Sequence, residues 1–374
     1  MTERHSRLSV IFVFKGGSMK RVVVKIGSST LVDSDGQLDR GFIGRLAIEA
    51  AALRDEDWQM VVVTSGSIAV GLNIMGHKGP RPTEMRKLQA AAAIGQVSLI
   101  NAYADTFRCF GMHVGQILLT RATTGVRESY LNARATIDQL LEQGAVPVIN
   151  ENDTVAIDEI RFGDNDTLAA MVATAIDADL VVLLSDIDGL YTADPRKDAG
   201  AELLEQVGKL SEEIEASAGG VGSASGSGGM LTKVAAARVL MSAGIPMVIC
   251  EGHRKNAVTD ACHGRSVGTR FFDNDSLGMH ARKSWIALGG KVRGRVTCDL
   301  GAVRALSERG ASLLPVGVTA VEGSFAAGDP VDLVDEQGRL LGRGLAGYDS
   351  EKLRACIGKR GMDEFINRDQ LVLF

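Results

Sequence analysis

Aromatic residues make up only 5% of the 374-residue chain, with 2 tryptophans and 4 tyrosines, and prolines number 7. So few prolines exclude a proline-rich or collagen-like chain, and so few aromatics leave little with which to stack bases. No apolar run approaches the roughly 18 residues that a membrane span needs. The nearest N-terminal candidate is 8–14, behind Arg4 and Arg7 and interrupted by Ser9. It is at the short limit for a signal-peptide core and lacks a good cleavage pattern, so no secretion is expected. Met19, directly before a clean strand pattern, reads as the biological start of the chain. Cysteines number 5, with no CxxC pair, which suits reduced thiols in a cytoplasmic protein. A basic excess is missing too: the formal charge is −5, which argues against a chain built to coat nucleic acid. No GxxxxGK[ST] run occurs, so the P-loop class is excluded.

What is plentiful is glycine, 44 residues, or about 12% against roughly 7% in average proteins. Hydrophobic residues at 45% and charged residues at 23% are otherwise ordinary for a globular chain. The length exceeds one typical domain and predicts two.

From Lys20 onward, apolar runs and helical patterns alternate. Strands are expected at 21–26 (RVVVKI), 60–63, 114–119, 146–149, 180–184 and 246–250. Helices are expected at 42–53, 84–109, 128–142, 166–177 and 231–242. The strand runs are continuously apolar, so both faces are buried, and the alternation with helices predicts an α/β fold with a mostly parallel sheet between helices. This block ends near Phe272. Residues 273–283 (DNDSLGMHARK) read as a linker, and 284–374 as a small β-rich domain with helices near 301–309 and 350–358. Residues 282–374 hold 14 Lys+Arg and 12 Asp+Glu, a net of +2, which leaves −7 for the rest.

In parallel α/β sheets, ligands bind at the carboxyl ends of the strands. There stand Lys25-Ile26-Gly27-Ser28-Ser29, Thr64-Ser65-Gly66-Ser67, Asn150-Glu151-Asn152-Asp153 and Ser185-Asp186. One such turn would more often be a helix cap; four in register point to a site. A glycine/serine run at 216–229 leads into Gly228-Gly229-Met230-Leu231-Thr232-Lys233 and a helix. Free backbone amides at a helix start, with a lysine beside them, make an anion site, although composition alone also fits a surface linker. Residues 150–166 hold four Asp and three Asn, which could simply cap a helix. With Lys25 and Lys233 they read instead as machinery for phosphoryl transfer, in which cations neutralise the moving phosphoryl group. No histidine base stands in these loops, which fits an acceptor already ionised at neutral pH, such as a carboxylate.

Two other patterns carry no site. The GxGxxG at 342–347 (GRGLAG) has only 27 residues after it, too few for the rest of a dinucleotide-binding unit. Cys250, His253, Cys262 and His263 match no zinc spacing, and no protein metal site is expected.

The segments VVVKIGSS (22–29), VVVTSGSIAVG (61–71), VGQILLTR (114–121), VPVINEND (146–153), GDND (163–166), LLSDIDGLYTADPR (183–196) and SGGMLTK (227–233) resemble, in this order, the glutamate 5-kinase branch of the amino acid kinase family. KxGSS and TSG alone would not separate that branch from aspartokinases or acetylglutamate kinases. The tail, from Lys283 to Tyr348, resembles a PUA domain. The resemblance implies ATP-dependent phosphorylation of the γ-carboxylate of L-glutamate, with Mg²⁺, feedback inhibition by proline and a homo-oligomer. It assigns Lys25 and Lys233 to the phosphates, and Asp166 to holding those lysines. Ser65, Asp153 and Asn165, with Asp164 close by, fall to glutamate. ATP falls to Ser185, Asp186 and the loop Ser227, Gly228, Gly229, Met230, Leu231, Thr232 and Lys233. Ser227 replaces a common threonine and keeps the hydroxyl; Leu231 adds bulk beside the nucleotide loop. The alternatives are a kinase of acetylglutamate or aspartate, or RNA binding through the tail, for which the net of +2 is a weak footprint.

Overall fold

The structure, a computed structural model, describes residues 19–33, 35–120, 127–155, 165–195, 198, 200–211, 214, 229–272, 292–359 and 361–373. The expected N-terminal extension 1–18, the expected linker 273–283, Asp164, Ser227 and Gly228 lie outside these residues.

The first sheet is built from β1 (Lys20–Ile26), β2 (Trp58–Val63), β3 (Val114–Leu119), β4 (Val146–Glu151), β5 (Leu180–Ser185), β6 (Gln206–Val207), β7 (Met247–Glu251) and β8 (Thr269–Phe271). Between them run α1 (Ser28–Leu31), α2 (Arg40–Arg54), α3 (Ser67–Ile74), α4 (Met85–Arg108), α5 (Arg127–Glu142), α6 (Asn165–Ala175), α7 (Met230–Ser242) and α8 (Ala257–Cys262). The strand order is β3-β4-β2-β1-β5-β7-β8-β6. All pairings are parallel except that between β7 and β8.

Valine-rich strands make this layer because branched side chains pack well on a pleated surface and alternate between its faces. In β1, Val23 joins one core cluster, with Leu183 of β5 and Ala237 of α7. Val22, Val24 and Ile26 join the opposite cluster, with Leu46 of α2 and Leu99 of α4. The six expected strands are all present. The three-residue β8 and two-residue β6 are too short to stand out in sequence, as are α1 and α8. Helix α3 falls between the expected strand at 60–63 and the expected helix at 84–109, where no element was expected.

The second sheet contains β9 (Gly294–Cys298), β10 (Val318–Gly323), β11 (Pro330–Val334), β12 (Leu340–Leu345) and β13 (Leu371–Leu373), in the order β10-β9-β11-β12-β13. Its helices α9 (Leu300–Arg309) and α10 (Ser350–Cys356) match the expected pair. Asp299 and Asp349 cap them, accepting from the backbone N–H of Ala302 and Lys352. The GRGLAG glycines serve this sheet: a Cβ at Gly342 would lie 2.2 Å from the Val372 carbonyl oxygen. The start of the motif is a strand packed closely against its neighbour, a role the sequence did not reveal.

Candidate active site

The chain starts the first sheet at its centre, lays β2, β4 and β3 to one side, and then crosses over to β5 on the other. A reversal of this kind opens a crevice beyond the carboxyl ends of the strands. Lys25 lies at that end of β1, Ser65 just beyond β2, Asn150 and Asp153 at the end of β4, and Ser185 at the end of β5. The β4-to-β5 connection brings α6, with Asn165 and Asp166 in its first turn.

Asp166 is fully buried, yet it lies between two cations. Lys25 Nζ is 2.6 Å from its Oδ1 and Lys233 Nζ is 3.3 Å from its Oδ2. The Thr232 hydroxyl, in the first turn of α7, is 2.9 Å from the same Oδ2. Burial pushes the carboxyl upward, but the charges of Lys25 and Lys233, with hydrogen bonds from Lys25 and Thr232, hold it down at about 2. Two buried lysines share one carboxylate, so the cluster carries one net positive charge. That surplus is what an incoming phosphate would neutralise.

Beside it lies a relay of amides. Asn165 Nδ2 is 2.6 Å from the Thr64 carbonyl, 2.8 Å from Ser65 Oγ and 3.0 Å from Asn150 Oδ1. Asn150 Nδ2 donates to Gln96 Oε1 of α4 at 2.8 Å. Tyr103, two turns further along α4, pairs with the Thr64 hydroxyl at 3.1 Å. The relay borders a cleft of about 310 Å³ lined by Ser67, Gln96, Gln116, Glu151, Asn152 and Asp153, with an apolar wall from α4. Ser67 Oγ donates to Asp153 Oδ2 at 3.0 Å. Burial nevertheless raises the Asp153 carboxyl above its usual range, against the Ser67 bond and the charge of Arg81. A half-desolvated carboxylate of this kind gains most from an arriving ammonium group.

The structure thus brings Lys25, Asp166, Thr232 and Lys233 into one contact group, joins Ser65 to Asn165, and places Asp153 in the neighbouring cleft. Ser185 donates to Asp186 at 3.1 Å across the end of β5. Gly229 caps α7, and Leu231 points to solvent at 55% exposure, so its bulk does not crowd the core. Asn150 and Ser67 stood in the strand-end groups read from the sequence but had no individual role there, and Gln96 had none at all. Gln96 was detectable as a polar residue on the buried stripe that includes Ala92, Leu99 and Tyr103.

The cysteine and histidine group dissolves. His263 pairs with Glu56 at 2.6 Å, His253 with Arg45, and the Cys250 thiol is pushed up to about 12 by burial. Among the described residues no three metal-ligating side chains converge, and no helix is long and apolar enough to cross a membrane.

The amino acid kinase family model matches residues 20–251, and the PUA domain model residues 294–363. Glutamate 5-kinases of Burkholderia thailandensis (strain E264) and Burkholderia pseudomallei (strain K96243) are each 46% identical over 366 residues, 95% of this chain and 98% of theirs. A solved isopentenyl phosphate kinase, 18% identical, aligns with 67% of this chain and 99% of its own at a TM-score of 0.47. The chain belongs to the amino acid kinase family, in its glutamate 5-kinase branch, with a C-terminal PUA domain.

Proposed function

We propose that this chain transfers the γ-phosphoryl group of ATP to the γ-carboxylate of L-glutamate, giving L-glutamyl 5-phosphate. The observation that carries the reading is the buried Lys25–Asp166–Lys233 group beside an amide-lined cleft. A carboxylate oxygen of glutamate attacks the γ-phosphorus, the bond to the β,γ-bridging oxygen breaks, and its electron pair leaves with ADP. The acceptor is ionised at neutral pH, so no proton is moved and no general base is needed. Lys25 and Lys233 stabilise the charge that spreads over the transferring oxygens, and Asp166 keeps both ammonium groups aimed there. Ser65 and Asn165 hold the reacting carboxylate, and Asp153 receives the α-ammonium. Ser185, Asp186 and the start of α7 hold the nucleotide, its phosphates facing the free amides of that helix.

The described residues offer no protein cage for Mg²⁺, since both Asp166 oxygens already face lysines. Such an ion would be held by the nucleotide phosphates and water, as Mg²⁺ commonly is. A boundary between catalytic and PUA domains within 273–283, a homo-oligomer, a cytoplasmic location, inhibition by proline and formation of a proline precursor complete the proposal on family resemblance. RNA binding through the tail is not favoured: Phe325 and Phe365 are buried, and Tyr348 packs against Phe365. A coupled ADP-release assay across glutamate, acetylglutamate and aspartate, with and without proline, tests the proposal. Turnover of glutamate alone is expected; turnover of aspartate but not glutamate overturns it.

A further inference from the structure

The hydrogen-bond relay fixes the orientation of each amide along it. The backbone N–H of Glu151 donates to Asn150 Oδ1 at 2.9 Å, so that atom is an oxygen and Asn150 must donate through Nδ2. Its partner on Gln96, at 2.8 Å, must then be Oε1. The assignment leaves Gln96 Nε2 as a donor withdrawn from solvent, and it has no hydrogen-bond partner. Buried amide groups seldom stay unpaired, because the lost water is not replaced. Gln96 also lines the cleft, so a modest turn of its amide would bring Nε2 to an acceptor on whatever fills it.

The order of the relay says which part of the ligand that is. Starting at the lysines, it runs through Asp166 to its neighbour Asn165, then Asn150, then Gln96. The phosphoryl acceptor must lie at the lysine end. Gln96 stands at the other, where Asp153 also opens into the cleft. A γ-linked amino acid lying along this axis presents its α-ammonium and α-carboxylate there. We propose that Gln96 is a specificity-determining residue, whose Nε2 donates to the α-carboxylate of the acceptor while its Oε1 holds Asn150. The inference rests on glutamate occupying this cleft. It goes further in naming the group that distinguishes an amino acid from a plain ω-carboxylate.

Gln96→Glu keeps the oxygen that Asn150 needs and replaces the donor by an anion of the same shape. Steady-state kinetics should show the glutamate KM raised about tenfold or more, the scale of a buried polar pairing lost. The ATP KM should stay within about twofold. The decisive comparison is 4-aminobutyrate, which is glutamate without its α-carboxylate, used as a competitive inhibitor. Its inhibition constant should be the same for parent and variant within about twofold. Asp153→Asn should weaken both compounds. An unchanged glutamate KM in Gln96→Glu overturns the inference. So does equal weakening of glutamate and 4-aminobutyrate, which would reduce Gln96 to a support for Asn150. If Asp153→Asn changes neither compound while Gln96→Glu selectively weakens glutamate, the placement of the ammonium fails and the Gln96 contact stands.

Discussion

At the scale of single residues, the site is a balance between burial and charge. Asp166 pays for complete burial only because two ammonium groups face it, so the three residues stand or fall together. Lys25→Ala or Lys233→Ala should each lower kcat by roughly 10²-fold or more, the scale of removing a charge stabiliser from a transition state. Rapid-quench or coupled assays at saturating ATP and glutamate measure this, and an unchanged kcat in either variant would refute its role. Asp153 shows the opposite balance. Burial raises its pKa, so the folded state holds the proton more tightly than the unfolded chain does. Its contribution to stability is full below about pH 4, the unfolded value, and is lost as pH rises through the raised one. Asp153→Asn should therefore be more thermostable than the parent at pH 7, and lose that advantage by about pH 4. The same variant should raise the glutamate KM, so thermal melts and kinetics together read a site that trades stability for binding. Lys25, Asp166 and Lys233 were legible in sequence because strand ends and a helix start are where charged residues face ligands. The individual roles of Ser67 and Gln96 were not, because they depend on which helix faces which strand end, although Ser67 stood in a strand-end group and Gln96 on a buried helical stripe.

At the scale of elements, α3 and α4 pack backbone to backbone, and this contact sets the cleft. A Cβ at Gly95 would fall 1.8 Å from the Ser67 carbonyl oxygen, and one at Gly71 would fall 1.8 Å from that of Ala91. Neither glycine sits in a left-handed turn; both are needed for close approach, as Gly66 (φ 92°) is needed for the turn before α3. Gly95→Ala must separate the two helices, at a cost of about 1–3 kcal/mol typical of overpacking. Because Ser67 begins α3 and donates to Asp153, the variant should also raise the glutamate KM more than the ATP KM. A variant that lost stability with no change in the ratio of those constants would show that the packing does not reach the cleft. Helix α3 was missed in sequence for the same reason. Its residues, SIAVGLNI, have no polar stripe to mark a helical period, and the TSGS before them reads as a turn. The long α4 was plain because its length outweighed such local ambiguity.

At the scale of the whole molecule, the apolar clusters follow the two sheets but are not wholly separate. In β13, Leu371 joins the core of the C-terminal sheet, while its neighbour Val372 belongs to the cluster that holds Ala237, Leu240 and Met241 of α7. Successive residues of a strand face opposite sides, so this short strand serves two cores at once. Leu345 of β12 belongs to the same cluster. The change of texture after Phe272 revealed a second domain in sequence, but not this contact, since three residues near the C-terminus carry no period from which to read a partner. The shared cluster ties the tail to the core of the first sheet, to which α7 also belongs. Removing 284–374 should leave glutamate kinase activity in place, because every residue assigned to the chemistry precedes that segment. It should also expose Leu345's and Val372's former seat and lower the thermal midpoint. Val372→Asp isolates the contact within the full chain. Burying a valine contributes about 1.5–3 kcal/mol, so a fall of roughly 5 °C is expected with kcat little changed. A midpoint equal to the parent's would mean that the tail does not brace the core of the first sheet. A large loss of kcat without loss of stability would instead place the contact in the catalytic cycle.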